Sequence, residues 1–456
     1  MLGTAILPSA HANNTKSKRP RVIVFILADD MRWDAFGAAT NSKNQFALQT
    51  PNLDWLAKVG YHFKNNFVTT SICPTSRASI LTGQHGGRHG IWNFSQNLSN
   101  EQLLFSLPTL LRSNGYQTAF FGKWGIGDAP PKNLFDYWAG FMGQGEYFSE
   151  NRAGHMTDSL SSQANKWLAE SNQNDPVALF INTKAPHVQD EIPGGFLPTS
   201  RHSDLYATTT FDAPLSATEA EFQKLPKFLK SSEGRRRWHE RFATADRFQQ
   251  TSRQYHRLIA GIDDLAGSVF SLLKSKGLLQ ESLIAFSSDN GFLLGEHGLA
   301  GKWWGFEESI RTPLLIKLPE SMDRTSERHS SNVIHELSLN IDVAPTILDC
   351  AGIRPPSTMQ GLSLLPCMQY GSLKIREDFL YEHQFEHPRI AKTIGLRTQR
   401  YKYLRYPDFQ QAQEMLFDLE VDPFEVTNLA SSNDHLKLLN ILRERTAQLG
   451  SRNLSR

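Results

Sequence analysis

Acidic and amide side chains follow two apolar segments of this chain, at the point where each segment ends. Asp29 and Asp30 come directly after a continuous apolar run rich in β-branched residues, and Asp289 and Asn290 follow a second such run. Runs of this kind are typical of strands that are buried on both faces of a parallel sheet. Ligands of open α/β sheets bind at the carboxyl ends of such strands. We therefore expect the four side chains to share one edge of a sheet.

If the two strand ends are neighbours, three carboxylates and one amide converge. Oxygen donors of this kind suit Ca²⁺, or less well Mg²⁺, rather than a soft metal. Carboxylates that meet without a cation repel one another, so their convergence would favour a bound metal ion. The alternative is that each pair caps a helix or forms a turn, which Asp and Asn also commonly do.

A thiol and a guanidinium group lie four residues apart, at Cys73 and Arg77. A helix is predicted to start near Ser76, which places Cys73 just before it and Arg77 in its first turn. Free N–H groups and the helix dipole favour anions at a helix N-terminus, so this place would suit an anionic nucleophile and a bound oxyanion. The alternative is a buried structural thiol, the usual fate of a free cysteine.

A histidine follows a third apolar run. His187 comes after residues 177–181 and directly after Pro186. Histidine suits proton transfer because its pKa lies near neutrality. A lone histidine is more often structural, but this position after a strand makes His187 a candidate general acid.

The stretch 71–83 reads Ser-Ile-Cys-Pro-Thr-Ser-Arg-Ala-Ser-Ile-Leu-Thr-Gly. It resembles the signature of the formylglycine-dependent (type I) sulfatases, a family of the alkaline-phosphatase-like superfamily. In that family, a Cys followed four residues later by Arg, and then by Leu-Thr-Gly, is oxidised to an aldehyde. The hydrated aldehyde takes the sulfate group from a sulfate ester. The family pattern is Cys-x-Pro-Ser-Arg, whereas here Pro74 directly follows Cys73.

Further segments resemble the same family, and together they span roughly residues 20 to 430. They are 115–124, 185–187, 295–302, 306–313 and the tail motif 416–429. The family usually has a His two residues after the Lys of the first of these segments. Here the Lys is Lys123, and the later position is Gly125.

The resemblance implies a role for each matching residue. The metal ligands for Ca²⁺ would be Asp29, Asp30, Cys73, Asp289 and Asn290. The catalytic and substrate-binding residues would be Cys73, Arg77, Lys123, His187, His297 and Lys302.

The resemblance also implies a mechanism. A hydroxyl group of the hydrated aldehyde at residue 73 attacks sulfur in line, while Arg77, Lys123 and Lys302 spread the charge together with Ca²⁺. His187 protonates the departing alcohol. The second hydroxyl group then collapses to the aldehyde and expels inorganic sulfate. Such an enzyme needs a maturation partner, either a formylglycine-generating or a radical sulfatase-maturating enzyme.

Two aromatic-rich segments indicate a substrate. Residues 135–138 and 143–148 resemble a segment of carbohydrate sulfatases, including some that act on N-acetylglucosamine 6-sulfate. Aromatic side chains stack on sugar faces, although they also form protein cores. The prediction is a sulfated glycan or a small sulfate ester. Two alternatives stay open, namely a phosphoric ester hydrolase of the same superfamily, using unmodified Cys73 or another nucleophile, and an inactive homologue that binds sulfated glycans.

Composition excludes several other classes. The 456 residues carry a formal net charge of +2, so nothing favours binding to nucleic acid or to an anionic membrane. Three cysteines do not make a disulfide framework. No apolar run approaches the ~20 residues of a membrane span. Residues 1–12 resemble the end of a secretory signal with a small-x-small cleavage site at 10–12, which predicts a periplasmic or secreted protein.

Strands that alternate with helical patterns predict a mainly parallel α/β sheet covered by helices on both faces. With the resemblance, the fold is expected to be alkaline-phosphatase-like, with a smaller C-terminal α+β subdomain. The predicted organisation is a signal-like segment and tail at 1–19, a catalytic domain at 20–330 with an insertion or long loop region at 190–250, and the C-terminal subdomain at 331–456. Residues 235–237 in the insertion are a run of arginines, which forms either a solvated face or a wall for a polyanionic sugar.

Overall fold

The computed structural model of the chain describes residues 19–40, 48–172, 175–192, 194–323, 332–371, 374–411 and 413–454. The signal-like segment therefore lies outside the described residues. Within these ranges, no helix combines the length and the apolarity needed to cross a membrane.

Fourteen strands are found in the described residues. In chain order they are β1 Val22–Asp29, β2 Tyr61–Phe67, β3 Gln117–Lys123, β4 Tyr137–Phe141, β5 Val177–Pro186, β6 Ser282–Ser288, β7 Leu293–Leu294, β8 Ala300–Gly301, β9 Leu314–Lys317, β10 Val333–Leu339, β11 Asp378–His383, β12 Thr393–Thr398, β13 Tyr401–Tyr406 and β14 Gln413–Asp418.

Eight of these strands form one large sheet in the order β10-β2-β9-β6-β1-β5-β3-β4. β1 lies at its centre and pairs in parallel with β5 and with β6. β9 runs antiparallel to both of its neighbours, β6 and β2, and it is the reversed strand that makes the sheet mixed. A separate antiparallel sheet, β11-β12-β13-β14, lies in the C-terminal part. The predicted fold class, a mainly parallel sheet with a smaller C-terminal α+β part, is confirmed.

The α-helices of the described residues cover the large sheet and connect its strands. In chain order they are α1 Pro51–Val59, α2 Cys73–Thr82, α3 Gly86–His89, α4 Asn100–Leu104, α5 Leu107–Ser113, α6 Met156–Glu170, α7 Glu219–Lys224, α8 Lys227–Lys230, α9 Glu233–Arg241, α10 Ala245–Ser275, α11 Glu307–Ile310, α12 Val343–Cys350, α13 Leu365–Tyr370 and α14 Leu436–Leu454.

Alternate residues of β1 face two separate hydrophobic cores, because successive side chains of a strand point to opposite faces. Val24 and Ile26 pack in the core formed with α1, α6 and α10. Ile23 and Phe25 pack in the core formed with α2, α5, α12 and α13. All eight residues of β1 are buried, as the apolar run predicted.

Helix α2 begins three residues earlier than predicted. Its first residue is Cys73 rather than Ser76, and Pro74 occupies the second position. Proline fits the first turn of a helix, because its missing N–H has no helical partner there and its φ is already helical. The helix ends at Gly83, whose φ of +64° is left-handed.

The segment 190–250 is mainly irregular up to residue 218 and mainly helical after it. It contains α7, α8, α9 and the start of α10. Apolar side chains of α7 and α8, among them Phe222 and Leu229, pack in a third core with Trp304. Burial of these side chains stabilises helices that the polar sequence of the segment did not indicate.

The arginine run lies on α9. Arg236 pairs with Glu233, and Arg237 pairs with Glu233 and with Asp190. The guanidinium group of Arg235 instead stacks over the rings of Phe222 and Trp238. All three arginines thus contact other side chains of the protein. This favours a surface face over a wall for a polyanionic sugar.

The C-terminal part packs on the large sheet. β10 joins that sheet by pairing in parallel with β2. α12 packs in the same core as α2 and α5. β12 and β13 form an antiparallel pair, and α14 packs on their sheet through Leu439 and Leu442. The boundary near residue 330 stays a prediction.

Candidate active site

Four strands of the large sheet deliver polar side chains to one edge. β1 ends at Asp29, β3 ends at Lys123, β5 ends just before His187, and β6 ends just before Asp289. These strands run parallel, so their carboxyl ends meet at that edge. Helix α2 brings Cys73 to the same place from the side.

Cys73 is the first residue of α2 and has no exposed surface. Its Sγ lies 2.8 Å from Lys302 Nζ and 3.8 Å from Lys123 Nζ. The thiol donates to Asp29 Oδ1 at 3.4 Å. Burial, and then the Asp29 carboxylate, raise the pKa of the Cys73 thiol to about 12. The unmodified thiol is therefore neutral, although the ammonium groups of Lys302 and Lys123 lie close to its Sγ.

Three buried carboxylates surround residue 73. One oxygen atom from each of Asp29, Asp30 and Asp289 lies within 4.8 Å of the others and of Cys73 Sγ. Burial raises the pKa of Asp30 to about 7, and the two neighbouring carboxylates add to this. Burial also opposes ionisation of Asp29, but Lys123 and the other nearby cations hold its pKa well below the usual range.

Asp30 adopts a left-handed backbone conformation, with φ of 67°. Its N–H donates to Asp289 Oδ1 at 3.1 Å, and its carbonyl accepts from the Tyr255 hydroxyl at 2.8 Å. A non-glycine residue in this region is strained and persists where its surroundings fix it. The strained turn directs two successive carboxylates toward the same cluster.

Three cations neutralise the three carboxylates. Arg77 Nε donates to Asp289 Oδ2 at 2.7 Å, and Arg77 Nη2 donates to Asp29 Oδ2 at 3.2 Å. Lys123 Nζ also pairs with Asp29, and Lys302 Nζ lies 2.5 Å from Asp30 Oδ1. The expectation that convergence by itself requires a metal ion is therefore too strong, because protein cations already balance the charge.

The donor set nevertheless fits a hard divalent cation. Asn290 turns its Nδ2 toward Asp289 Oδ1 at 3.0 Å, Asp30 Oδ1 at 3.3 Å and Cys73 Sγ at 3.7 Å, while its Oδ1 is buried and has no hydrogen-bond partner among the described residues. The two ends of a side-chain amide are assigned from its hydrogen bonds, and with the ends exchanged Oδ1 would face a cation held by the carboxylates. With three carboxylates close by, the oxygen ligands match those preferred by Ca²⁺.

His187 faces the cluster with one ring nitrogen. Its Nδ1 lies 2.5 Å from the carbonyl oxygen of Val188, and its Nε2 lies 3.6 Å from Asp30 Oδ2. The hydroxyl of Tyr147 donates to the carbonyl of His187 at 2.7 Å and fixes the backbone. Burial, and then Lys302, hold the pKa of His187 well below its usual range.

Nine of the ten predicted site residues lie in this cluster, and His297 does not. Its ring stacks on Phe306 with 4.0 Å between ring centroids, and its Nε2 has no hydrogen-bond partner among the described residues. Burial lowers the pKa of His297 to about 3, so the ring is neutral. Its surroundings are those of a core side chain.

Two polar residues of the site were not singled out from the sequence. Gln144, in the loop after β4, accepts a hydrogen bond from Lys123 Nζ at 2.6 Å. Lys184 is buried near the end of β5, and burial lowers the pKa of Lys184 to about 8. Lys184 shares a strand end with His187, a signal that was available. Gln144 lies in an irregular loop, whose path the sequence pattern does not specify.

The chain departs from the family pattern at Gly125. A side chain at this position would overlap Arg77. The φ of Gly125 is +72°, and a Cβ atom placed there would lie 2.7 Å from Arg77 Cδ. The side chain of Arg77 therefore occupies the space that a residue at 125 would need. No side chain at 125 could be accommodated while Arg77 holds Asp29 and Asp289.

A cleft of about 590 Å³ adjoins the cluster. It is lined by Phe141, Met142, Gln144, Gly145, Glu146, Ser149, Arg152, Met156, Gln189 and Glu191. Gln144 belongs both to this cleft and to the cluster, since it contacts Lys123. The cleft therefore meets the cluster at Gln144.

Comparison with known families agrees with this geometry. The family model described as Sulfatase matches residues 21–353, which include every residue of the cluster. The chain belongs to the sulfatase family. A second model, described as N-sulphoglucosamine sulphohydrolase, C-terminal, matches residues 295–452 of this sulfatase. The chain is accordingly a sulfuric ester hydrolase.

Relatives with assigned activities are similar over nearly the whole sulfatase chain. An N-acetylglucosamine-6-O-sulfatase of Bacteroides thetaiotaomicron is 28% identical, over 96% of this chain and 88% of that protein. An arylsulfatase of Clostridium perfringens is 26% identical, over 92% of both chains. Among solved structures, a protein in complex with its substrate D-glucosamine-2-N,6-O-disulfate has a TM-score of 0.83 and 24% identity, over 96% of this chain and 98% of that chain. At this identity the structural likeness is one of fold.

Proposed function

We propose that this sulfatase hydrolyses sulfate esters on carbohydrates, using a formylglycine made from Cys73 and a bound Ca²⁺ ion. The observation that carries the proposal is the arrangement around residue 73, where three cations and three carboxylates meet at the start of a helix. The carbohydrate substrate is supported by the activity of the N-acetylglucosamine-6-O-sulfatase relative and by the cleft next to Lys123, which is lined by both polar and apolar side chains.

The oxygen ligands for Ca²⁺ would come from Asp29, Asp30, Asp289 and Asn290, together with residue 73. When present, the hydrated aldehyde supplies an oxygen nucleophile, and the ion supplies positive charge beside it. A dication there would add positive charge to match an anionic nucleophile and a sulfate ester.

Arg77, Lys123 and Lys302 would bind the sulfate oxygens and stabilise the charge that develops on them. Lys302 and Lys123 already lie 2.8 and 3.8 Å from Sγ of residue 73, where a group bound to the nucleophile would sit. Cations fixed by buried carboxylates do not need to reorganise during the reaction, which is the main source of electrostatic catalysis.

His187 would donate the proton to the departing alcohol from Nε2, which requires that the negative charge of the bound sulfate ester raise the low pKa of this buried ring. Its Nδ1 is engaged with the Val188 carbonyl, which can only accept, so Nδ1 carries a proton in every state. Nε2 is thus the atom that exchanges a proton with the substrate. The hydrogen bond from Tyr147 holds the backbone of this histidine in place.

The decisive experiment starts with the mass of the tryptic peptide that contains Cys73, after co-expression with a formylglycine-generating enzyme. The mass of the aldehyde form is expected, and Cys73→Ala should lose it. The matured protein is then assayed with N-acetylglucosamine 6-sulfate and with paired aryl sulfate and aryl phosphate. Turnover of sulfate esters in preference to phosphate esters is expected. An unmodified thiol under every maturation system would contradict the proposal, and preferred turnover of the phosphate ester would favour a phosphoric ester hydrolase.

A further inference from the structure

Gln144 links the buried cluster to the open cleft. Its side chain lines the cleft, and its amide group lies 2.6 Å from Lys123 Nζ. It is half-buried, whereas Lys123 is fully buried. A molecule that reaches residue 73 through the cleft therefore passes Gln144.

Chemistry fixes which end of the amide faces Lys123. An ammonium group has three donors and no acceptor, so the atom that contacts Lys123 Nζ is the oxygen, Oε1. The NH₂ group of Gln144 then points elsewhere, and no described residue accepts a hydrogen bond from it. Gln144 thus presents two unused N–H donors beside the cluster.

The same contact directs Lys123. Two of its N–H donors are taken by Asp29 and Gln144. The remaining donor is free for the region of residue 73, whose Sγ is 3.8 Å away. Gln144 therefore both holds Lys123 and adds a neutral donor to the same space.

Nearby backbone positions do not supply such a donor. Gly125 has no side chain, and a Cβ atom there would overlap Arg77. Its neighbours Trp124 and Ile126 are buried in the hydrophobic core. A side-chain donor next to Lys123 therefore comes from the loop after β4, where Gln144 lies.

We propose that Gln144 is a substrate-binding residue, whose NH₂ group donates a hydrogen bond to an oxygen of the bound sulfate group while its Oε1 holds Lys123. The inference rests on the proposed function, because it requires a sulfate group next to residue 73. A neutral donor stabilises the anion without a further buried charge that would need its own partner.

The test measures binding of inorganic sulfate to the matured, calcium-loaded protein by titration calorimetry, together with kcat and KM for a sulfate ester. Gln144→Met keeps the length of the side chain and removes both functions. Gln144→Glu keeps the acceptor for Lys123 but removes the donors and places a negative charge toward the sulfate. A glutamate variant that bound sulfate like the wild type would show that the NH₂ donors contribute nothing, because it retains only the contact with Lys123.

We expect both variants to bind inorganic sulfate about tenfold or more weakly, the effect of losing a hydrogen bond to a charged group. The glutamate variant should be the weaker of the two. Gln163→Met is the matched control, since Gln163 lies on α6 and bonds Ser159 within the same helix. Thermal unfolding is recorded for every variant, to show that each one folds.

Folded variants that bind sulfate within about twofold of the wild type, less than a typical net hydrogen bond, would overturn the inference. So would a glutamate variant with wild-type affinity. The two proposals fail separately. A wild-type protein that binds sulfate but hydrolyses no sulfate ester contradicts the proposed function and still allows the Gln144 test by calorimetry. A matured wild-type protein that does not bind sulfate contradicts both.

Discussion

Nδ1 of His187 donates a hydrogen bond to the carbonyl oxygen of the next residue, Val188, at 2.5 Å. The bond leaves Nε2 as the nitrogen that faces Asp30 and the cluster. The orientation of the ring is thus set within its own loop, independently of the substrate. Any proton that His187 exchanges with the cluster is therefore held on Nε2.

Replacement of His187 should affect substrates according to their leaving group. In His187→Ala, we expect kcat for an alkyl sulfate on a sugar to fall by about 10²- to 10⁴-fold, the usual contribution of a general acid. An aryl sulfate with an acidic phenol should lose much less, because its leaving group needs little protonation. The measurement is kcat across a series of aryl and alkyl sulfates. His335→Ala, an exposed histidine on β10, is the control, and an equal loss for all leaving groups would contradict the assignment.

Removal of the amide oxygen of Asn290, which has no hydrogen-bond partner among the described residues, should weaken metal binding. We expect Asn290→Ala to lower the affinity for Ca²⁺ by about tenfold or more, since the variant lacks one ligand of the proposed sphere. Calcium binding is measured by calorimetry after treatment with a chelator, and Mg²⁺ is titrated in parallel. Asn440→Ala, on the exposed face of α14, controls for the substitution. Unchanged calcium affinity in Asn290→Ala would remove Asn290 from the set of ligands.

A side chain at position 125 should disable the site through Arg77. Gly125→Ala places a Cβ atom 2.7 Å from Arg77 Cδ, so the guanidinium group must leave Asp29 or Asp289. We expect a fall in kcat/KM of about 10²-fold, the size seen when one stabilising group of an anionic transition state is lost. Gly277→Ala is the matched control, because its φ of +69° is similar and nothing lies within 4 Å of the added atom. Equal activity in both variants would show that Arg77 adapts without loss.

Acid should destabilise the protein below about pH 6.5. Burial lowers the pKa of each of six histidines, to about 3 for His62, His89, His297 and His383 and to about 4 for His85 and His256. The unfolded chain then binds more protons than the folded chain between these values and 6.5. Their contribution to stability is complete above pH 6.5 and is lost as the pH falls toward the folded-state values. The midpoint of thermal unfolding, measured from pH 8 to pH 5 at one scan rate, should decrease steadily below pH 6.5.

His383 offers a direct check of that explanation. Both of its ring nitrogens are buried without a hydrogen-bond partner among the described residues. Replacement by Phe, which has a similar shape and cannot be protonated, should flatten the dependence of stability on pH and cost little at pH 8. A variant with the same slope as the wild type would show that other groups dominate acid unfolding.

Site residues could be predicted best where they directly follow a regular strand. Asp29, His187 and Asp289 could be placed after strands, because each follows an apolar run, whereas Lys123 was assigned only through the family resemblance. Gln144 could not, since it reaches Lys123 from a loop that no periodic pattern describes. His297 lies in a matching family segment, yet its ring turns away to stack on Phe306.

The start of α2 and the structure of segment 190–250 also differ from the prediction, each for a local reason. The start of α2 was predicted too late, because Pro74 was not interpreted as a first-turn residue. Segment 190–250 was expected to be irregular, because its polar surface residues outnumber the few apolar side chains, such as Phe222 and Leu229, that anchor its helices. Tertiary packing decides such cases, and a single sequence shows it poorly.

The complete burial of α2 has a consequence for when the protein becomes an enzyme. All ten residues from Cys73 to Thr82 are buried, so no second protein can bind this segment in the folded state. If Cys73 is converted as proposed, the catalyst must act before this segment folds. Protein that folded with an unmodified Cys73 would then have to be unfolded before it could be converted.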